Sequence, residues 1–171
     1  MASIPINILF LCTGNSARSL IAEGILRHYG GKGFAAYSAG SSPTGMPNPH
    51  ALQILRTHDV DTSFAESKSW SHFATEDAPR MDLIITVCDN AAGETCPIWP
   101  GQPQTVHWGV ADPAAVDGDY SEISAAFAIT YNEMLGRVTA LIDAQPTPTT
   151  ITGIAREIGK LADQKRSVEC V

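Results

Sequence analysis

Residues 81–88, MDLIITVC, constrain the fold more than any other stretch of the chain. From Leu83 to Cys88 only Thr86 interrupts an apolar run, so neither face of such a strand is left for solvent. Strands covered on both faces belong inside parallel sheets. Parallel neighbours need long crossovers, usually helical, and the rest of the chain alternates accordingly. INILFL gives a first strand over about 4–11, and 35–40 and 105–110 give two more. Helices are expected over 16–29, from Asn48 through the 3.6-residue pattern of Ala51, Leu52 and Leu55, and from Ser121 to about 144, with Ser121 and Glu122 as capping residues. The expected architecture is a single α/β domain: a central, mostly parallel four-stranded sheet with helices on both faces, plus a C-terminal helical extension. The domain itself is expected over 1–145. Residues 146–171 are expected to form a Pro/Thr-rich linker and a helical tail.

Ligands in such sheets sit at the carboxyl ends of the strands. At the first of those ends stands LCTGNSARS, residues 11–19. A strand, a small polar loop and a helix start combine unpaired amides with the positive end of a helix, which makes a nest for an anion. Thr13, Gly14, Asn15, Ser16, Ala17, Arg18 and Ser19 are the candidate oxyanion ligands. Gly14 and Asn15 best tolerate left-handed backbone, and Arg18 adds a planar fork of donors. Cys12 lies at the floor, where amides and the guanidinium would favour its thiolate; the Ser19 hydroxyl can donate to the sulfur. No Gly-Lys-Ser/Thr follows the glycine, so the loop is not of the ATP-binding type. The plain alternative is a buried, inert cysteine at a strand end followed by a turn.

The net charge of −7 excludes a general nucleic-acid or membrane-surface role, so any anion must be held by local devices. No segment has the roughly 18 apolar residues of a membrane span. The opening residues show no basic region and no A-x-A cleavage site, so a cytoplasmic protein with reduced thiols is expected. Cys12, Cys88, Cys96 and Cys170 lack zinc-like spacing.

LCTGNSARS resembles the low-molecular-weight protein tyrosine phosphatase superfamily, which includes thiol-coupled arsenate reductases, and the similarity runs from about residue 6 to about 143. The resemblance implies that Cys12 attacks, Arg18 binds the oxyanion and Asp112 of VADPAA is the proton donor. It also implies that Asn15 and Ser38 brace the loop. Glu23 with Asn15 and Ser38 resembles part of a potassium site, but an acidic member of that site corresponds to Ser71 here, so no metal and no cofactor are expected. Asp117 and Asp119 read as solvated loop charges.

VCDNAAGETCP, residues 87–97, separates two chemistries. Ester hydrolysis needs one cysteine, whereas reducing arsenate to arsenite needs two electrons, which a thiol pair supplies by forming a disulfide. The implied relay runs through Cys12–Cys88 and then Cys88–Cys96, with Ala91, Ala92 and Gly93 as a flexible connector. The reductant would be thioredoxin, or glutaredoxin or another low-molecular-weight thiol. HWGVADPA at 107–114 resembles thioredoxin-coupled members, although the two cysteines stand one residue further apart here. Ala114 and Ala115 replace the tyrosines that follow Asp-Pro in phosphatases. The alternatives are a phosphatase acting on phosphate monoesters through a Cys12 phosphocysteine, and a non-catalytic thiol sensor or oxyanion-binding regulator. His107 is expected to be structural, and Cys170 incidental.

Overall fold

The structure is a computed structural model that describes residues 4–169. Cys170 lies outside the described residues. Four strands, β1 (Ile6–Cys12), β2 (Phe34–Gly40), β3 (Leu83–Thr86) and β4 (Gln104–His107), form an all-parallel sheet in the order β2-β1-β3-β4. The two apolar runs of the sequence, β1 and β3, are the two central strands. Along β1 the period-2 alternation sends Ile6, Ile8, Phe10 and Cys12 to one face and Leu9 and Leu11 to the other.

The first face carries the larger core. There α1 (Arg18–Tyr29), α2 (Pro49–Thr57), α4 (Tyr120–Asp143) and α5 (Ile151–Glu169) pack on the sheet through Ile21, Ile25, Leu55, Phe127, Tyr131, Val138, Ile151 and Ala155. The second face is covered by a 3-10 turn at Trp70–Phe73 and by the segment around Trp99, through Phe73, Met81 and Trp99. Among the described residues no helix is long and apolar enough to cross a membrane.

Several boundaries differ from the sequence reading. Strand β3 is only four residues long, because Cys88 leaves the ladder and caps a short helix, α3 (Asp89–Gly93), that the sequence reading took for a flexible connector. Strand β4 stops at His107; Trp108 to Asp112 continue as a loop. Helix α4 is capped by Asp119 rather than Ser121. The Asp119 carboxylate accepts from Glu122 N at 2.9 Å, and Glu122 reciprocates on Asp119 N at 2.8 Å, a capping box. Helix α5 packs tightly: the Trp108 indole donates to Ala155 O at 2.8 Å, and both residues are buried.

Candidate active site

The loop after β1 is shaped from outside. The carbonyls of Cys12, Thr13, Gly14 and Ser16 accept hydrogen bonds from the amides of Ser41, Ser42, Thr44 and Asn48, at 2.8–3.3 Å. In a planar trans peptide the following N–H points the opposite way, so the amides of residues 13, 14, 15 and 17 face the loop interior. Helix α1 then begins at Arg18 with no side-chain cap and no acid in its first turn, which leaves its positive end uncompensated. Of the two residues expected to take left-handed backbone, only Asn15 does, with φ 43°. Gly14 serves close approach instead: a Cβ there would stand 3.2 Å from Thr44 Cγ2.

Asn15 is fully buried and fully bonded. Its Nδ2 donates to Ser19 Oγ and Ser38 Oγ, both at 2.9 Å, and its Oδ1 accepts from Lys68 N at 2.9 Å. Ser19 Oγ is thus an acceptor within this brace, and its own proton stays free. Ser38 donates to Glu23 Oε2 at 2.5 Å, and Arg27 Nε donates to Glu23 Oε1 at 2.9 Å. Burial raises the Glu23 pKa, against Ser38, Lys68 and Arg27, which lower it. The residue that meets Asn15 from the stretch before the 3-10 turn at Trp70–Phe73 is Lys68, while Ser71 bonds Ser69.

Arg18 is 14% exposed and lies across the mouth of the loop. Its Nη1 donates to Val110 O at 2.9 Å, and its Nη2 stands 3.4 Å from Asp112 Oδ2. The other Asp112 oxygen accepts from Ala114 N at 3.0 Å, so Pro113 and the 3-10 turn it starts aim this carboxylate at the arginine. A thiol, a cation and a carboxylate from three elements therefore meet at the carboxyl end of the sheet.

Cys88 joins them. Its sulfur is hydrogen-bonded to Cys12, stands 3.5 Å from Thr13 Oγ1 and accepts from Ala91 N at 3.4 Å. The hydrogen bond from Cys12 lowers the Cys88 pKa most, with further help from Thr13 and Ala91, to about 5. Cys12 moves the other way: the bond to Cys88 and burial raise its thiol, while Arg18 and the Thr13 amide pull it down. The two sulfurs are coupled, and their shifts run in opposite directions, Cys88 down and Cys12 up. The direction at Cys12 is opposite to the lowering that the sequence leads one to expect. The physical reason is that the contact with Cys88 and burial outweigh Arg18, whose Nη1 and Nη2 face Val110 O and Asp112.

Cys96 is not brought to this cluster. It packs with Leu9, Leu11, Trp99 and Trp70 on the opposite sheet face, its thiol is raised by burial and by Glu94, and it weakly contacts Glu94 O. Cys12, Cys88 and Cys96 are all free thiols. Between Cys88 and Cys96, helix α3 is pinned by Asp89, whose Oδ1 is 2.9 Å from His107 Nε2; His107 Nδ1 meets Thr86 Oγ1 at 2.8 Å. The sequence reading assigned His107 a structural role without finding its partner. The signal was present: an acid directly after Cys88, and a histidine at the end of the neighbouring strand.

Residues 7–147 match the family model described as low molecular weight phosphotyrosine protein phosphatase. An arsenate reductase of Halalkalibacterium halodurans is 37% identical over 131 residues, covering 77% of this chain and 91% of that protein. Among solved structures, an arsenate reductase in the phosphate binding state superposes with a TM-score of 0.66 at 25% identity, over 81% of this chain and 98% of the other. The thioredoxin-dependent arsenate reductase of Corynebacterium glutamicum does so with a TM-score of 0.62 at 29% identity, over 85% of this chain and 66% of the other. Fold, loop and match along most of the length agree, and the chain belongs to the low molecular weight phosphotyrosine protein phosphatase family.

Proposed function

We propose that this chain reduces arsenate to arsenite. The observation that carries the reading is the sulfur pair Cys12–Cys88 at the floor of an oxyanion loop. The names of the relatives and structural neighbours support it. In this reading the amides of residues 13–17 and Arg18 hold the arsenate oxygens, and Ser19, Asn15 and Ser38 keep the loop in shape. The Cys12 sulfur bonds to arsenic as one arsenic–oxygen bond breaks. The departing oxygen leaves as water, carrying the proton given up by the Cys12 thiol, with Asp112 as the donor that delivers it. The Cys88 thiolate then attacks the Cys12 sulfur. The sulfur–sulfur bond forms, the sulfur–arsenic bond breaks, and its electron pair stays on arsenic, which leaves as arsenite. Thiolate character on Cys88 is what this second step needs.

Cys96 next attacks Cys88, freeing Cys12 and leaving a Cys88–Cys96 disulfide. An external dithiol carrier reduces that disulfide, and the thioredoxin-dependent neighbour supports thioredoxin in that role. Disulfide partners need Cα atoms within roughly 7 Å, and Cys88 and Cys96 pack on opposite sheet faces, so the relay requires α3 to unwind. We infer that residues 1–145 form the catalytic unit and 146–171 an extension. Three thiols kept free suit the reducing cytoplasm.

The test is a comparison of wild type with Cys88→Ser. Wild type is expected to produce arsenite over many turnovers with thioredoxin and its reductase. Without a carrier it should lose two thiols per arsenate and finish with Cys12 reduced. Cys88→Ser should lose turnover and keep its affinity for phosphate. A wild type that makes no arsenite with any dithiol carrier overturns the reading. Phosphate monoester hydrolysis is the second reading, favoured by the family model and needing only Cys12, Arg18 and Asp112; it predicts that p-nitrophenyl phosphate turnover survives in Cys88→Ser.

A further inference from the structure

We propose that helix α5 belongs to the catalytic apparatus, because Arg166, together with Arg137 of α4, positions the Asp112 loop through the carbonyl of Gly109. The proposal rests on Asp112 being the proton donor. The loop from Trp108 to Asp112 has no regular structure. Its amides are tied inward, Trp108 N to Thr86 O at 2.8 Å and Val110 N to Val87 O at 3.2 Å. The two carbonyls in its middle, of Gly109 and Val110, are held by guanidinium donors, while Asp112 O accepts from Ala115 N at 3.3 Å within the 3-10 turn. Val110 O accepts from Arg18; Gly109 O accepts from Arg137 Nη1 at 3.1 Å and from Arg166 Nη2. Arg166 is oriented in turn by Asp163 Oδ1 at 2.9 Å.

The seat of α5 is built for this approach. A Cβ on Gly159 would stand 2.9 Å from His107 O and 3.1 Å from Trp108 Cδ1, so glycine lets the helix backbone lie directly on the loop. Trp108 answers with its indole bond to Ala155 O. The other side of Gly109 is equally crowded: a Cβ there would meet His107 Nε2 at 2.8 Å and Asp89 Oδ1 at 3.0 Å. The Gly109 peptide is therefore clamped between the pin that holds α3 and the two arginines, three residues before the acid. Two cations converging on one carbonyl repel each other, and Arg137 is lowered by burial and by Arg166. Packing alone has no use for that arrangement; aiming a loop does. Helix α5, and with it Arg166, lies beyond the stretch matched by the family model, whereas Arg137 and Gly109 lie within it.

A displacement of about 1 Å at a reacting group is worth up to 100-fold in rate. Arg166→Met keeps the apolar stem and removes the donors. Its single-turnover rate of arsenate-driven thiol loss is expected to fall about tenfold, while phosphate affinity, which uses the loop amides and Arg18, stays within about twofold. Arg166→Lys, which retains a cation, is expected to recover about half of the loss on a logarithmic scale. Lys160→Ala, on the exposed side of the same helix, should match wild type.

The deciding measurement is the double-mutant cycle with Asp112→Asn. A residue that acts by aiming the acid has nothing left to aim once the acid is gone, so Arg166→Met should cost less than about twofold in that background. The pH-rate profile should agree, with Arg166→Met moving toward that of Asp112→Asn. An equal tenfold loss in both backgrounds overturns the proposal, as does a wild-type rate in Arg166→Met. Should Arg166→Met fold poorly, Arg166→Lys carries the same cycle. An Asp112→Asn rate equal to wild type is a different result: it removes Asp112 as the donor, and the brace falls with it.

Discussion

Asn15 combines a left-handed backbone with a fully buried amide. The backbone costs an ordinary residue about 1 kcal/mol or more, and each of its three hydrogen bonds contributes about 1 kcal/mol. The bonds win, and substitution separates the two effects. Asn15→Ala loses the bonds and keeps the strain; Asn15→Gly loses the bonds and relieves it. Urea denaturation is expected to show a loss of about 3 kcal/mol for Asn15→Ala and about 1 kcal/mol less for Asn15→Gly. Equal losses would mean that the angle carries no strain. The Cys12–Cys88 pair makes the reduced protein sensitive to pH in a defined direction. Cys88 titrates at about 5 in the fold and near 8.5 when unfolded. Between those values the unfolded chain binds a proton that the fold does not, so stability rises with pH there, and this contribution is lost as pH falls through about 5. Cys12 has the opposite sign. Its thiol is raised, so its contribution is present at lower pH and declines once pH passes the unfolded value near 8.5. Ultraviolet thiolate absorbance should therefore titrate in the acidic range, and Thr13→Val, by removing a donor to Cys88, should move that titration upward. A wild-type titration near 8.5 would contradict the assignment.

At the scale of the element, α3 is one turn of helix held at its N-terminal end, where Cys88 caps it and Asp89 pins it to His107. So short a helix has little stability of its own, and losing the cap is enough to melt it. Oxidation to the Cys88–Cys96 form is expected to raise amide exchange across 89–96 and to change the fluorescence of Trp99, which is buried beside Cys96. Cys96→Ser should show neither change; a wild type with α3 protected after oxidation would mean that the two sulfurs meet by another route. The helix also marks where sequence reading ran out. Strands β1 and β3 announced themselves by apolar runs broken only at Asn7 and Thr86, and α4 by its long amphipathic period, because those signals come from burial repeated along the element. A five-residue helix has no period to read, and its cap is a cysteine, not one of the usual Ser, Thr, Asp or Asn residues. The cap of α4 was missed for a different reason. Asp119 looked like one more loop charge, although Glu122 three residues on completes a capping box; Asp119→Ala should cost about 1 kcal/mol in thermal or urea unfolding. Cys12, Arg18 and Asp112 were legible because one motif and one Asp-Pro turn named them. The opposite shifts of Cys12 and Cys88 were not, since they depend on which groups each sulfur meets across 75 residues of chain.

At the scale of the whole molecule, an anion site sits on a protein of net charge −7. The local positive devices are short-ranged: inward amides, one helix end, and Arg18 already facing Asp112. An approaching arsenate dianion first meets the field of the whole surface, which repels it. The Debye length is about 30 Å at 0.01 M salt and about 8 Å at 0.15 M, so added salt removes the repulsion before it reaches the contacts inside the loop. The kcat/KM for arsenate should therefore rise by about two- to fivefold over that range, while kcat, which reports steps after binding, stays nearly level. The titrant should be choline chloride, because sulfate and phosphate compete for the loop. Asp117 is exposed on the loop just beyond the acid, and Asp117→Lys raises the net charge by two units without touching Arg18. The same variant should raise kcat/KM at low salt and flatten its salt dependence. A kcat/KM that falls as salt rises, in both proteins, would mean that the positive loop projects beyond the surface and that the global charge does not govern capture.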